Sequence, residues 1–312
     1  MAYTSGDTIL DTHYNDFVGS VNALWGAGTG VRGYGQASTI STVSDGDTIA
    51  ASQWSTLLDR IRSISDHTGD DTNITVDDVS NPSAGDTIAA YTTLAADITT
   101  IDTSAANNAN GAGFGSAINE VVTSTATFTG TITQTCTLTF TSADHMRYGF
   151  NAGGKVECSW SVSGGTSDSK YDEWAALATA SGIYQIFGTS SGKSGGSATP
   201  DTNNTSSGFH SQGTTPAIVF KQFEDTEPYT ASYLQLSTSI DAAVGTATVM
   251  TLTSVWEDAA ADQTSYNKNI YNVLDQVDGN KTTTFSWAPP SNSYLTETWG
   301  TPVWNNTVNS HA

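Results

Sequence analysis

Residues able to do acid–base or metal chemistry are few in this chain and widely spread. The five histidines are His13, His67, His145, His210 and His311, and no two stand at the spacing of an HxxxH metal site. His13 falls in the first turn of an expected helix, on its solvent side. The two cysteines, Cys136 and Cys158, form no CxxC pair. In "TITQTCTLTF" strict alternation groups Ile132, Cys136, Leu138 and Phe140 on one strand face. In "KVECSWSV" it groups Val156, Cys158, Trp160 and Val162. Both thiols therefore point inward, as small buried hydrophobes, with a cross-strand disulfide as the alternative. Carboxylates gather at Asp66, Asp70, Asp71, Asp77 and Asp78, and again at Asp172 and Glu173. The first group, "DHTGDDTNITVDD", offers oxygen ligands to a hard cation but does not follow the EF-hand spacing, so a solvated acidic loop is the simpler reading. Two carboxylates suffice for glycoside hydrolysis, yet the β-rich half shows no solenoid repeat of the kind expected of a polysaccharide-degrading body. There is no GxSxG elbow, and "GAGTGVRGYG" lacks the Lys and Ser/Thr of a phosphate-binding loop. The sequence thus assigns no catalytic, metal or cofactor-binding residue, and the expectation is a non-enzymatic protein with no cofactor.

Composition narrows the classes further. Charged residues are 13% of the 312, with 31 acidic against 10 basic and a net charge of −21, where about 25% charged is usual. A nucleic-acid partner would be repelled, because binding there depends on Lys and Arg displacing counterions. Anionic membrane surfaces are disfavoured by the same argument. An acidic, Ser/Thr-rich surface suits a salty medium and keeps an abundant protein soluble. "MAYTSGDTILDTHYNDF" has neither the basic nor the apolar region of a secretion signal, and no stretch approaches a membrane span. The expected site of synthesis is a host cytoplasm, with exit by lysis or none.

The elements that would position these residues begin with a repeat. GDTI occurs at Gly6–Ile9, Gly46–Ile49 and Gly85–Ile88, about forty residues apart, a period typical of stacked units. In register, Tyr14, Phe17, Val18, Val21 and Leu24 align with Trp54, Leu57, Leu58, Ile61 and Ile64. Leu94, Ile98 and Ile101 follow in the third copy, where Asp97 replaces an apolar residue. Apolar residues at i, i+4 and i+7 form one stripe of a helix. Thr12, Ser52 and Thr92 precede the stripes and are expected to cap the helices, and GDTI reads as turn chemistry, with Gly freeing φ and Asp bonding nearby backbone. "STISTVS" (Ser38–Ser44) and "TNITV" (Thr72–Val76) read as short β pieces. Such stripes pack into a small bundle. The aromatic residues Tyr14, Trp25 and Trp54, with Leu58, are also candidates for an interface with another subunit.

Residues 106–121, rich in Ala, Asn and Gly, read as a linker. From residue 122 to 312 the texture is β. Strands are expected in "ATFTGTITQTCTLTF", "GKVECSWSV", "GIYQIFG", "AIVFKQF", "YTASYLQLSTSI", "ATVMTLTSVW", "IYNVLDQV" and "TTTFSWA". One helix, "SKYDEWAALATASG", interrupts them, and Gly188–Gly213 reads as a long exposed loop. The fold class is α+β, mainly β: helix-turn repeats over 1–105, then an antiparallel, jelly-roll-like β-sandwich. Trp287, Trp299 and Trp304 crowd the C-terminal stretch. They serve the domain's own core, a subunit interface or a glycan, and Trp299 and Trp304 join the interface candidates.

"SADHMRYGFNAGGKVECSWSVSGG" and the following "EWAALATASGIYQIFG" resemble a segment of virion structural and tail-fibre-like proteins of tailed phages, marine ones especially. The matching residues are Arg147, Tyr148, Phe150, Asn151, Gly153 and Gly154, then Trp174 and Gly182, and the GDTI units are similar to repeats in the same proteins. The likeness covers about half the chain, and Gly149 departs from it where a second aromatic is expected. It implies a virion component of the tail or a fibre, homo-oligomeric and most simply trimeric, in contact with other virion proteins and with host surface glycan. It carries over no catalytic residue. A capsid decoration or head-fibre protein, and a glycan-processing tail enzyme, are the alternatives.

Overall fold

The structure, a computed structural model, describes residues 10–86, 91–125, 127–128, 130–166, 169–260 and 277–311. The first GDTI copy, Thr87 and Ile88 of the third, and the strand expected over "IYNVLDQV" except Val277 lie outside these. The chain divides into two compact units, one of residues 1–116, 144–154 and 289–300, the other of 117–143, 155–288 and 301–312. This is not the contiguous division expected. "RYGFNAGG" and the stretch around Trp299 belong with the repeats, and the expected linker is split between the units. Ala, Asn and Gly there mark tight backbone packing: a Cβ on Gly111 would lie 2.3 Å from Gly69 Cα.

The helical unit contains α1 (Asp11–Trp25), α2 (Ala51–Thr68), α3 (Tyr91–Ala106) and the short α4 (Ala143–Asn151). Its core joins the three stripes to Tyr34, Ile40, Ile74, Val76, Ala152, Leu295 and Trp299. The capping expectation fails. The N-caps are Leu10 and Ala50, neither with a side-chain cap, so Thr12 and Ser52 already lie inside the helix. In α2, Gln53 Oε1 instead accepts the Ala50 N–H at 2.8 Å. The turn reading of GDTI holds where it is described. Asp47 Oδ2 accepts the Ser44 N–H at 3.0 Å and Asp86 Oδ2 the Ser83 N–H at 2.8 Å. Gly46 and Gly85 sit at φ +85° and +95°, where a side chain would be strained.

Among the described residues, the sandwich unit has eleven strands. A five-stranded sheet runs in the order β1 (Ile118–Ser124), β10 (Asn280–Ala288), β3 (Lys155–Ser163), β4 (Ile183–Ile186), β5 (Ser191–Ser194). A six-stranded sheet runs β11 (Val303–His311), β2 (Gly130–Thr139), β9 (Val249–Asp258), β8 (Tyr233–Ile240), β7 (Ala217–Phe223), β6 (Thr202–Asn203). The described ladders between these strands are antiparallel. Helix α5 (Ser169–Ser181) packs its Trp174, Leu177 and Ala178 inward, with the Trp174 ring 5.2 Å from Phe128 and 5.8 Å from Trp256. The α+β, mainly β, sandwich class is therefore observed.

Three expectations are corrected. Part of the supposed linker is β1, whose only fully buried side chains are Val122 and Ser124, too few to show an alternation. Gly188–Gly213 carries β5, β6 and the buried Phe209, whose N–H donates to Phe187 O at 2.8 Å. The tail beyond Trp299 is β11. Among the described residues, neither Ser38–Ser44 nor Thr72–Val76 joins a strand ladder.

Candidate functional site

The six interface candidates are buried by their own chain. Tyr14 and Trp54 meet edge-to-face at 5.5 Å in the helical core. Trp25 donates its indole N–H to Ala37 O at 2.9 Å under the Arg60 guanidinium, 4.1 Å from the ring. Leu58 and Trp299 are at most 3% exposed and complete that core. Trp304 points into the sandwich, donating to Ile118 O at 2.9 Å. Aromatic richness here reflects small units that need large side chains to fill a core.

Side chains do most of the tethering in the helical unit. Asn15 and Asn22, two turns apart on α1, grip the loop that follows. Val43 N–H donates to Asn15 Oδ1 and Asn15 Nδ2 to Val43 O, both at 2.9 Å. Asn22 and Ile40 repeat the exchange at 2.8 Å. Each amide thus copies the two-bond pairing of an antiparallel ladder. On α2, Arg62 occupies the column of Asn22 and donates to Val76 O at 3.0 Å, to Val79 O, and to Asn81 Oδ1 at 2.6 Å. Asp97, 3% exposed, accepts the N–H groups of Thr75 and Val76 at 3.0 and 2.9 Å. The residue that breaks the third stripe is therefore a tether for the loop that buries Ile74 and Val76.

The segment "RYGFNAGG" works the same way. Arg147 donates to Ala27 O at 2.8 Å and to Asp144 Oδ1 at 3.1 Å. Asn151 Nδ2 donates to Arg32 O and Gly33 O at 2.7 and 2.9 Å. His67 is fully buried, its Nε2–H donating to Ala152 O at 2.9 Å and its ring edge-to-face with Tyr34 at 5.4 Å. Burial holds its pKa down at about 4, with the bond to Ala152 opposing, so the ring is neutral near pH 7.

Between the two sheets lies a hydrogen-bonded layer of polar side chains. Gln134 Nε2 donates to Val122 O at 3.1 Å, and its Oε1 accepts from Thr283 Oγ1 at 2.5 Å and Trp256 Nε1 at 3.3 Å. Ser254 Oγ accepts from Trp160 Nε1 at 2.8 Å. Nearby, Lys170 Nζ lies 2.6 Å from Asp258 Oδ2, both side chains almost wholly buried. Cys136 and Cys158 are free and buried. Burial pushes the Cys136 thiol up to about 12 and the Cys158 thiol well up as well, which leaves neither nucleophilic at neutral pH.

Carboxylates with raised pKa values are few. Burial, and then Asp71, raises Asp66; burial first, and then neighbouring acids, raises Asp77. Among the described residues, no group of three or more His, Cys, Asp or Glu could hold a metal ion. Glu224, 7% exposed, is pushed up to about 7 by burial, with the Asp225 N–H bond opposing and Glu173 adding. Nothing around Glu224 resembles a motif, so sequence reading alone does not single it out. Among the described residues, no helix is long and apolar enough to cross a membrane.

No family model matches the chain, nor does any curated protein or solved structure.

Proposed function

We propose that this is a non-enzymatic structural protein of a phage particle, a tail-fibre or tail-appendage component that assembles with itself and with other virion proteins and meets host surface glycan. One observation supports this reading above the others. The most motif-like segment of the chain, "RYGFNAGG", spends its Arg147 and Asn151 side chains on backbone carbonyls within its own unit, as a structural module does. The net charge of −21 and the Ser/Thr-rich composition agree with an abundant, externally exposed protein.

The test is to purify particles from a lysate of the producing host, identify their proteins by mass spectrometry, and locate this chain by labelled imaging. It is expected in the particle at many copies, on the tail. A label on the capsid favours a decoration role, and absence from the particle overturns the proposal. Incubation with host polysaccharide checks the enzymatic alternative. New reducing ends that vanish in Glu224→Gln would sink the non-enzymatic reading, because Glu224 is the buried carboxylate raised toward neutrality.

A further inference from the structure

The two sheets of the sandwich have four edges, and three are closed. On β1, the carbonyl of Ile118 accepts from Trp304 Nε1 at 2.9 Å and that of Thr123 from Asn309 Nδ2 at 3.1 Å. On β5, the N–H of Ser191 donates to Thr205 O at 3.1 Å and that of Lys193 to Asn203 Oδ1 at 3.0 Å. Strand β6 is only two residues long, a common way of blunting an edge.

The fourth edge, β11, is open. It is nine residues long and, among the described residues, pairs with β2 alone. Asn305 through Ser310 are all exposed, and Val303 and Val308 are 57% and 38% exposed. Among the described residues, no side chain or loop bonds to the backbone of Val303–Ser310. An uncovered strand edge of this length is a template for another strand.

We propose that its occupant is the same edge of a second copy, paired antiparallel about a two-fold axis, so that two six-stranded sheets become one continuous sheet. Charge argues for this partner. "VWNNTVNSH" contains no Asp, Glu, Lys or Arg, although the chain carries −21. A second copy is repelled by most of the acidic surface and not by this strand. Symmetry argues for it too. A ring of three needs two different open edges on each copy, whereas a two-fold contact is self-complementary and needs one. The other edges being closed, assembly through strands stops at two. The register shift between Asn306 and Val308 bends the edge and limits each paired run to a few residues, which guards against open-ended stacking.

The pairing deepens the self-assembly part of the proposed function, but the purified chain tests it without a particle, so its failure is distinguishable from failure of the virion reading. The solution mass of the full chain is measured by sedimentation across the micromolar range at physiological salt. Two copies are expected. Asn305→Asp with Val308→Asp places like charges across the axis and weakens association about tenfold or more, and Asn305→Lys with Val308→Lys does the same. An equimolar mixture of the two variants restores the two-copy mass, which a folding defect could not do. A wild-type monomer, a trimer, or an assembly indifferent to these substitutions overturns the proposal, as does a mixture that stays monomeric.

Discussion

The helical unit and the sandwich must both pair buried backbone groups, and they do so by different means. In the sandwich, backbone ladders pair strand to strand, and polar side chains between the sheets bond largely to one another. In the helical unit the described loops cross the helices without strand ladders, and single side chains supply partners: Asn15, Asn22, Arg62, Asp97, Arg147 and Asn151. A ladder spreads its bonds along a strand. A tether concentrates them in one residue, so the two units should differ in where single substitutions hurt.

The largest effect is expected inside the sandwich, at its buried ion pair. Lys170→Met takes the ammonium away from Asp258, whose side chain is 1% exposed and also accepts from the Ser232 hydroxyl at 3.3 Å. An uncompensated buried charge costs about 3–5 kcal/mol. Urea unfolding of the variant, followed by tryptophan fluorescence, measures it. Adding Asp258→Leu is expected to recover most of the loss, because removing both charges also removes their desolvation cost. A single variant within experimental error of wild type would show that the pair is not buried in solution.

Acid separates the units by sign. The folded His67 has its pKa depressed to about 4 from 6.5, so between those values the unfolded chain binds the extra proton. The helical unit therefore loses stability as pH falls from 6.5 toward 4, by about 3 kcal/mol at most. Protonated His67 would also bury an Nδ1–H with no described acceptor. The folded Glu224 has its pKa raised to about 7 from 4.5, so the folded chain holds the extra proton in that window. The sandwich therefore loses stability as pH rises from 4.5 through 7, by about 2–3 kcal/mol. Hydrogen exchange read peptide by peptide from pH 4 to 7 reports each unit separately. Protection of α2 should rise with pH and that of β7 and β8 should fall, and His67→Gln and Glu224→Gln should flatten their own trend only. Parallel trends in both units would break the contrast.

What the sequence made legible follows the same division. The helical stripes and the inward faces around Cys136 and Cys158 could be read because burial there is periodic along the chain. The tethers could not. Asp97 read as a fault in a stripe, since the N–H groups of Thr75 and Val76 that it serves are set by the tertiary path of a loop. Strand β11 was hidden because Trp304 is its one buried side chain between Val303 and Ser310, which leaves no alternation to detect. The interface residues went astray for a related reason. An aromatic residue in a small unit looks alike in sequence whether it meets its own core or a partner, and here Tyr14, Trp25, Trp54, Leu58, Trp299 and Trp304 all meet their own chain.

Asp97→Ala comes next in size. It strips the N–H groups of Thr75 and Val76 of their acceptor, and each buried donor left unpaired costs about 1–3 kcal/mol. The expected loss in urea unfolding is about 2–3 kcal/mol, with Asp97→Asn recovering part of it, since one amide oxygen remains to accept. If Asp97→Leu, which restores the apolar column, proves as stable as wild type, the stripe matters more than the tether and the contrast between the units weakens.

The finest comparison sets one tether against one surface pair. Asn22 exchanges two bonds with Ile40 at 2.8 Å from a half-buried position. Thr123 and Thr282 share one hydroxyl contact at 2.9 Å on the outer face of the sandwich, where the β1–β10 ladder already pairs the backbone. Asn22→Ala leaves the Ile40 N–H and C=O to find water or go without, at about 1–2 kcal/mol. Thr123→Val removes a hydroxyl that solvent replaces and keeps the β-branched shape, so the change is at most about 0.5 kcal/mol. Thermal unfolding of the two variants side by side resolves that difference. Equal losses would mean that the loop after α1 holds its course without Asn22, and that side-chain tethers in the helical unit are no more concentrated in effect than the ladders of the sandwich.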